Sequence, residues 1–173
     1  MQNIFVVVDM QKDCIDGALG TKEAVAIVPN VVKKVEEFDG RVIFTRDTHT
    51  EDYMNTQEGH NLPVPHCIKG SDGWQICKEL LPYVKEEPVD KVTFGSSKLP
   101  ELLMAADKEE KIESITFVGL CTDICVISNV MVTKAFMPEV KVIVDAACCA
   151  GVTPESHRNA LEAMKVCQVI VEE

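Results

Sequence analysis

The chain has 173 residues, 46% of them hydrophobic and 26% charged, which is the make-up of one globular domain with a sizeable core and excludes both long disorder and two comfortable domains. A formal net charge of -11 argues against sequence-independent binding to nucleic acid or to an anionic membrane, so small molecules or protein partners are expected. No stretch approaches the roughly 20 apolar residues of a membrane span, and no basic region followed by a long apolar run opens the chain.

Asn3 to Val8 is an apolar run, the pattern of a strand buried on both faces, and it ends at Asp9. Val25, Val28, Val32, Val35 and Phe38 recur at helical spacing with charges between them, which predicts an amphipathic helix over residues 25 to 38. Arg41 to Thr45 is a second strand. About thirty polar residues with two Pro and three Gly follow, and a loop that long in a compact domain is usually functional. A short helix is expected from Gln75 to Leu81, stopped by Pro82, and a third strand from Pro88 to Phe94. Leu99, Leu102, Leu103 and Ala106 mark a helix; Ser114 to Val118 is the fourth strand and Cys125 to Phe136 a helix. Val140 to Val144 is a fifth strand ending at Asp145, Pro154 to Met164 a helix, and Val166 to Val171 a sixth strand.

Six alternations of strand and helix predict an α/β fold: a single domain over residues 1 to 173, doubly wound, with a six-stranded parallel sheet between two helix layers in a three-layer Rossmann-like arrangement. In the common order 3-2-1-4-5-6, strands one and four are neighbours and a crevice opens at their carboxyl ends. Asp9 and Cys125, 116 residues apart, then meet at that crevice.

The stretch GLCTDICV, residues 119 to 126, is the exit of strand four. Thr122 or Asp123 can cap the next helix, so Cys125 is expected in a first helical turn. There unpaired N–H groups and the helix dipole lower a thiol pKa from about 8.5 and can hold an oxyanion. The competing reading of Cys125 is a small buried packing residue. Asp9 can take and return the thiol proton, or else cap the loop near Gln11 to Asp13. Lys91 is either a fixed cation beside that carboxylate or an exposed charge on an edge strand. In the long loop, RDTH sets Asp47 and His49 two residues apart, hence on one side of an extended segment, and His66 follows in a proline-stiffened run. Asp plus two His suits zinc, iron or manganese, with Glu58 and His60 as further ligands close by; the alternative is a set of polar turn residues.

Eight cysteines occur, with no CxxC pair, and all are expected as reduced thiols in cytoplasm. Cys148 and Cys149 read as packing residues at the fifth strand's exit, and His157 as an exposed helix residue. No phosphate-binding GxxxxGK[ST] or GxGxxG motif is present.

VVVDMQKD around Asp9, RDTH with a later PHC, the lysine in VDKVTFGSS, and GLCTDICV together resemble the isochorismatase-like cysteine hydrolases, within them the nicotinamidase and pyrazinamidase branch. The resemblance spans nearly the whole chain in order. It implies a nucleophile at Cys125, a general acid and base at Asp9, and Lys91 as third member of the triad. It further implies a strained, often cis, peptide before Cys121, an oxyanion hole from the N–H groups of Cys121 and Cys125, and one divalent transition metal, zinc first, on Asp47, His49 and His66. The implied reaction is ammonia release from a small carboxamide, nicotinamide to nicotinate, by a protein that often forms a homo-oligomer, with Phe136 to Pro138 a place for an interface. Nicotinamidases usually carry Phe right after the DxQxD motif and Trp three residues before the PHC histidine; Cys14 and Pro63 stand there in this chain. The expected pocket wall is therefore Cys14 with a ring from Trp74, Tyr53 or Phe94. Other readings are a cysteine hydrolase for another small amide or ureido compound, a non-catalytic ligand- or metal-binding member, and a thiol redox protein, against which the missing CxxC counts.

Overall fold

A computed structural model describes residues 1–173. β1 (Gln2–Val8) is followed by a single-turn α1 (Lys12–Ile15), which the sequence reading lacked, and by α2 (Lys22–Glu37). α2 starts earlier than its apolar period indicates because the Thr21 hydroxyl accepts from the Ala24 N–H at 3.0 Å, an N-cap. β2 (Arg41–Asp47), α3 (Gln57–Asn61) and β3 (Val89–Lys91) come next, then α4 (Leu99–Glu109) and β4 (Ile112–Leu120). After a turn of π-helix at Thr122–Val126 come α5 (Ile127–Phe136), β5 (Lys141–Ala150), α6 (Pro154–Val166) and β6 (Ile170–Glu172).

All strand pairs are parallel, in the order β3-β2-β1-β4-β5-β6. The sheet is buried on both faces, which is why β1 shows an apolar run rather than an alternation. Ile4, Val6 and Val8 pack with Leu103, Val130 and Leu161 from α4, α5 and α6, while Phe5 and Val7 pack with Ile27, Val31 and Val35 of α2. Each fully buried aliphatic or aromatic side chain of this kind contributes about 1.5–3 kcal/mol.

Several boundaries differ from expectation. No helix forms over Gln75 to Leu81; the Gln75 carbonyl accepts from Lys12 N–H and Cys77 N–H donates to the Met10 carbonyl, so this backbone is paired to the segment after β1, and only a 3-10 turn at Leu81–Tyr83 follows. β3 is three residues long because it meets only the end of β2, Thr45 to Asp47. β5 runs on to Ala150, through a register shift opposite Phe117 to Gly119, so Asp145 lies within the strand and pairs with Lys34 at 2.8 Å. Cys148 and Cys149, on opposite faces of β5, enter the two halves of the core, which supports their packing role. α6 continues to Val166, leaving β6 shorter than the Val166 to Val171 apolar run indicated.

Gly119 is where β4 must approach β1. It pairs with Val8, adopts φ +117, and a Cβ there would run into the Val8 backbone. β1 ends at Val8 and β4 at Leu120, so the first residues beyond them, Asp9 and Cys121, leave the sheet side by side.

Candidate active site

Asp9 leaves β1 with φ 49, in the left-handed region, which Asp tolerates better than most residues. Its N–H donates to the Thr45 carbonyl at 3.2 Å, and the Thr45 hydroxyl donates to Asp9 Oδ1 at 2.7 Å. Lys91 Nζ sits 2.7 Å from Asp9 Oδ2 and donates to Cys125 Sγ at 3.4 Å and to the Thr93 carbonyl at 3.1 Å. Asp9, Lys91 and Cys125 are 2%, 3% and 8% exposed, so an edge strand here points its lysine inward, between charged neighbours, and the exposed-charge reading of Lys91 is overturned.

Burial drives the electrostatics. Cys125 is pushed well above the usual thiol range by burial and then by the Asp9 charge, with Lys91 opposing. Asp9 is raised by burial, again with Lys91 opposing. Burial also presses on Lys91, but Asp9, Cys125 and Asp47 outweigh it and hold the ammonium charged. The expected thiolate at a capped helix N-terminus is therefore corrected: Cys125 lies in the π-helical turn before α5, and that turn carries no side-chain cap. Thr122 Oγ1 is bonded instead to His157 Nδ1 at 2.7 Å, which also takes His157 out of the exposed class, and Asp123 accepts from Val152 N–H. The Leu120–Cys121 peptide is cis, as the resemblance implies.

The second cluster adjoins the first through Asp47, whose Oδ1 is 3.7 Å from Lys91 Nζ. His49 Nε2 and His66 Nε2 both face Asp47 Oδ2, at 3.0 and 3.2 Å, and Glu58 reaches the two rings at 3.6 and 3.7 Å. One ligand atom from each of these four residues lies within 4.8 Å of the others. His66 Nδ1 bonds the Val64 carbonyl at 2.8 Å, so in the neutral ring that nitrogen carries the proton and the lone pair of Nε2 faces the cluster. Asp47 Oδ1 is buried without a hydrogen bond. Although burial opposes it, Asp47 is held well below the carboxylate range by the two histidines and Lys91. A buried carboxylate with one oxygen outside any hydrogen bond and two imidazole nitrogens converging on the other fits a divalent transition metal. Glu58 belongs to this set; His60, two positions on and so about half a helical turn round α3, is exposed and does not.

A cavity of ≈ 270 Å³ opens over both clusters, lined among others by Asp9, Asp47, His66 and Cys125. Cys14, Leu62, Ile124 and Phe94 form its walls. Trp74 does not: it is buried, donates to Thr48 Oγ1 at 3.0 Å and lies under the Arg46 guanidinium at 4.0 Å. Tyr53 is also off the wall, packed edge-on against His49 and His66 with its hydroxyl donating to the Leu62 carbonyl. A larger groove of ≈ 630 Å³ beside α2 contains neither cluster and has no chemistry to recommend it.

Three supporting residues escaped the sequence reading. Thr45 orients Asp9. Gln11 uses both ends of its amide on the Asp47 backbone, at 2.8 Å each. Asn129 donates to the Cys125 and Phe94 carbonyls and accepts from Ser96 N–H, tying the Cys125 turn to the loop after Lys91. Asn129 was the one with a signal, a polar residue four positions after Cys125 on the face of a helix that packs inward.

Residues 3–173 match the model of the isochorismatase domain. An uncharacterized isochorismatase family protein, PncA, of Bacillus subtilis (strain 168) is 27% identical over 165 residues, covering 92% of this chain and 87% of that protein. Among solved structures, the pyrazinamidase of Pyrococcus horikoshii in complex with zinc is similar at TM-score 0.83 and 23% identity, covering 100% of this chain and 99% of that one. N-carbamoylsarcosine amidase from Thermoplasma acidophilum is similar at TM-score 0.80 and 25% identity, covering 100% and 96%.

Proposed function

The chain belongs to the isochorismatase domain family, and on that premise we propose that it is a metal-containing cysteine amidohydrolase that releases ammonia from a small carboxamide. The observation that carries the reading is Lys91, one buried ammonium touching Asp9 and Cys125 at once and adjoining the metal-binding set through Asp47.

At rest Cys125 keeps its proton. As a substrate carbonyl approaches, Asp9 accepts that proton and Lys91, fixed and charged, stabilises the sulfur as it becomes anionic. The thiolate adds to the carbonyl, and the N–H groups of Cys121 and Cys125 receive the oxyanion. Asp9 returns the proton to the departing nitrogen, ammonia leaves, and a water deprotonated by Asp9 hydrolyses the thioester. Asp47, His49, His66 and Glu58 would hold a divalent ion, zinc first and iron or manganese as alternatives, which when bound acts as a Lewis acid toward a polar atom of the substrate.

Nicotinamide is the first substrate to try. A second reading, another small amide or a ureido compound, is favoured by a cavity whose wall is Cys14 with Phe94 as its single aromatic ring. Eight unpaired cysteines support a reducing, cytoplasmic setting, and exposed Phe136 supports a homo-oligomer with a contact near Phe136 to Pro138. The test is ammonia release from nicotinamide, pyrazinamide, aliphatic amides and N-carbamoyl amino acids by zinc-loaded protein. Turnover of at least one is expected, and silence across all of them would contradict the proposal in favour of a binding protein.

A further inference from the structure

One feature of the cavity wall is not used by the reaction above. Cys14 Sγ lies 3.7 Å from Cys67 Sγ, the one thiol–thiol hydrogen bond among the eight cysteines. Cys14, on α1, lines the cavity, whereas Cys67 is 0% exposed behind it. We propose that Cys14 and Cys67 are a modification site, a thiol pair that small peroxides oxidise to a disulfide, and that this bond deforms the cavity.

The placement of Cys67 couples the pair to the site. Its N–H donates to Asp13 Oδ2 at 2.9 Å on α1, its carbonyl accepts from His49 N–H at 2.9 Å, and His66 precedes it. The pair thus joins α1, one wall of the cavity, to the segment that carries His66 and is hydrogen-bonded to His49. A disulfide needs its sulfurs about 2.05 Å apart, so bond formation closes the present 3.7 Å gap between the two sulfurs by about 1.7 Å, a movement shared between the two side chains and the segments that carry them. A displacement of about 1 Å in a positioned site costs on the order of 100-fold in rate.

The chemistry balances with hydrogen peroxide as oxidant. Cys14 Sγ, the member facing the cavity, attacks the peroxide; an S–O bond forms, the O–O bond breaks, and one water leaves. Cys67 Sγ then attacks the Cys14 sulfenic sulfur; the S–S bond forms, the S–O bond breaks, and a second water carries away the Cys67 proton. Two thiols lose two electrons in total and the peroxide gains them. Contact with Cys67 and burial push the Cys14 thiol well up, so the first step is slow and the end point, rather than the rate, is the proper readout. Because Cys67 Sγ is already in contact with Cys14 Sγ at 3.7 Å, the sulfenic acid is resolved within the molecule.

The bond itself is independent of the amidohydrolase reading, while its effect on turnover rests on it, and the experiment separates the two. Full-length Cys125→Ala protein is held in hydrogen peroxide to completion, free thiols are alkylated, and the unreduced digest is analysed by mass spectrometry. A peptide joining Cys14 to Cys67, split by dithiothreitol, is expected. Recovery of both as alkylated thiols, or of Cys14 as a sulfinic acid beside a free Cys67, would overturn the site. In Cys67→Ala protein treated alike, Cys14 is expected to carry only oxygen; a disulfide from it to another cysteine would overturn the pairing. Unsubstituted protein is then oxidised until the link forms with Cys125 still alkylatable, and its kcat/KM is compared with the same sample after dithiothreitol. A reversible loss of at least about tenfold is expected, and equal turnover in linked and reduced protein would overturn the effect on the cavity.

Discussion

Lys91 joins the two clusters, and its surroundings explain why it cannot be replaced by a neutral residue of similar length. It is 3% exposed and lies between Asp9 and Asp47. Removing it leaves two buried carboxylates facing each other, so Lys91→Met is expected to destabilise the fold by about 3–5 kcal/mol in urea unfolding and to abolish turnover. A midpoint unchanged from wild type would show that the ammonium is dispensable to the fold. Thr45 tests Asp9 separately. Its hydroxyl hydrogen bond lowers the Asp9 pKa against the raising effect of burial. In Thr45→Val that opposing effect is gone, and Asp9, the proposed base, stays protonated to a higher pH. The acidic limb of the kcat/KM profile is therefore expected to move toward alkaline pH, with a loss of about tenfold at neutral pH; a profile that stays in place or moves the other way would remove Asp9 as the base. Asp9, Cys125, Asp47, His49 and His66 were legible in the sequence because each follows a strand or lies in a short motif. Thr45 and Gln11 were not, since each acts on a partner 36 positions away through a bond that only the packed sheet creates, and the role of Asn129 depends on its bonds to Phe94 and Ser96, 35 and 33 positions away. The direction of the Cys125 pKa was misread for a related reason: local helix geometry argued for a thiolate, and burial beside Asp9, a tertiary effect, outweighed it.

At the scale of the elements, the site depends on how closely β1 and β4 can lie at their carboxyl ends. Gly119 sets that approach, with φ +117 and its missing Cβ directed at the Val8 backbone. Gly119→Ala is expected to lose at least about 3 kcal/mol of stability, or to fail to accumulate as folded protein; a thermal midpoint equal to wild type would contradict the close approach. The parallel class was readable because apolar runs alternated with helical periods, and the order 3-2-1-4-5-6 followed as the common one of that class. Boundaries were less readable wherever tertiary pairing decided them. Gln75 to Leu81 has helical composition, yet its backbone is committed to the segment after β1. Trp74 looked like a pocket ring from sequence, but its indole N–H found Thr48 and its face found Arg46.

For the molecule as a whole, the two clusters meet under one cavity at the point where the sheet order reverses, the place where doubly wound folds bind ligands. Metal should therefore couple to global stability. At about 100 times the dissociation constant a bound ion adds about 2.7 kcal/mol, so removing it with a chelator is expected to lower the thermal midpoint by about 5–10 °C, with recovery on adding zinc. No change on chelation, in protein whose metal content has been measured before and after, would count against the Asp47, His49, Glu58 and His66 set. The central claim, that Cys125 is the nucleophile of an amide hydrolysis, is tested most directly by Cys125→Ala assayed for ammonia release on whichever carboxamide the native chain turns over, beside its thermal midpoint and metal content. The account predicts no detectable ammonia from a folded, metal-loaded variant; turnover within a few-fold of the native chain would contradict it.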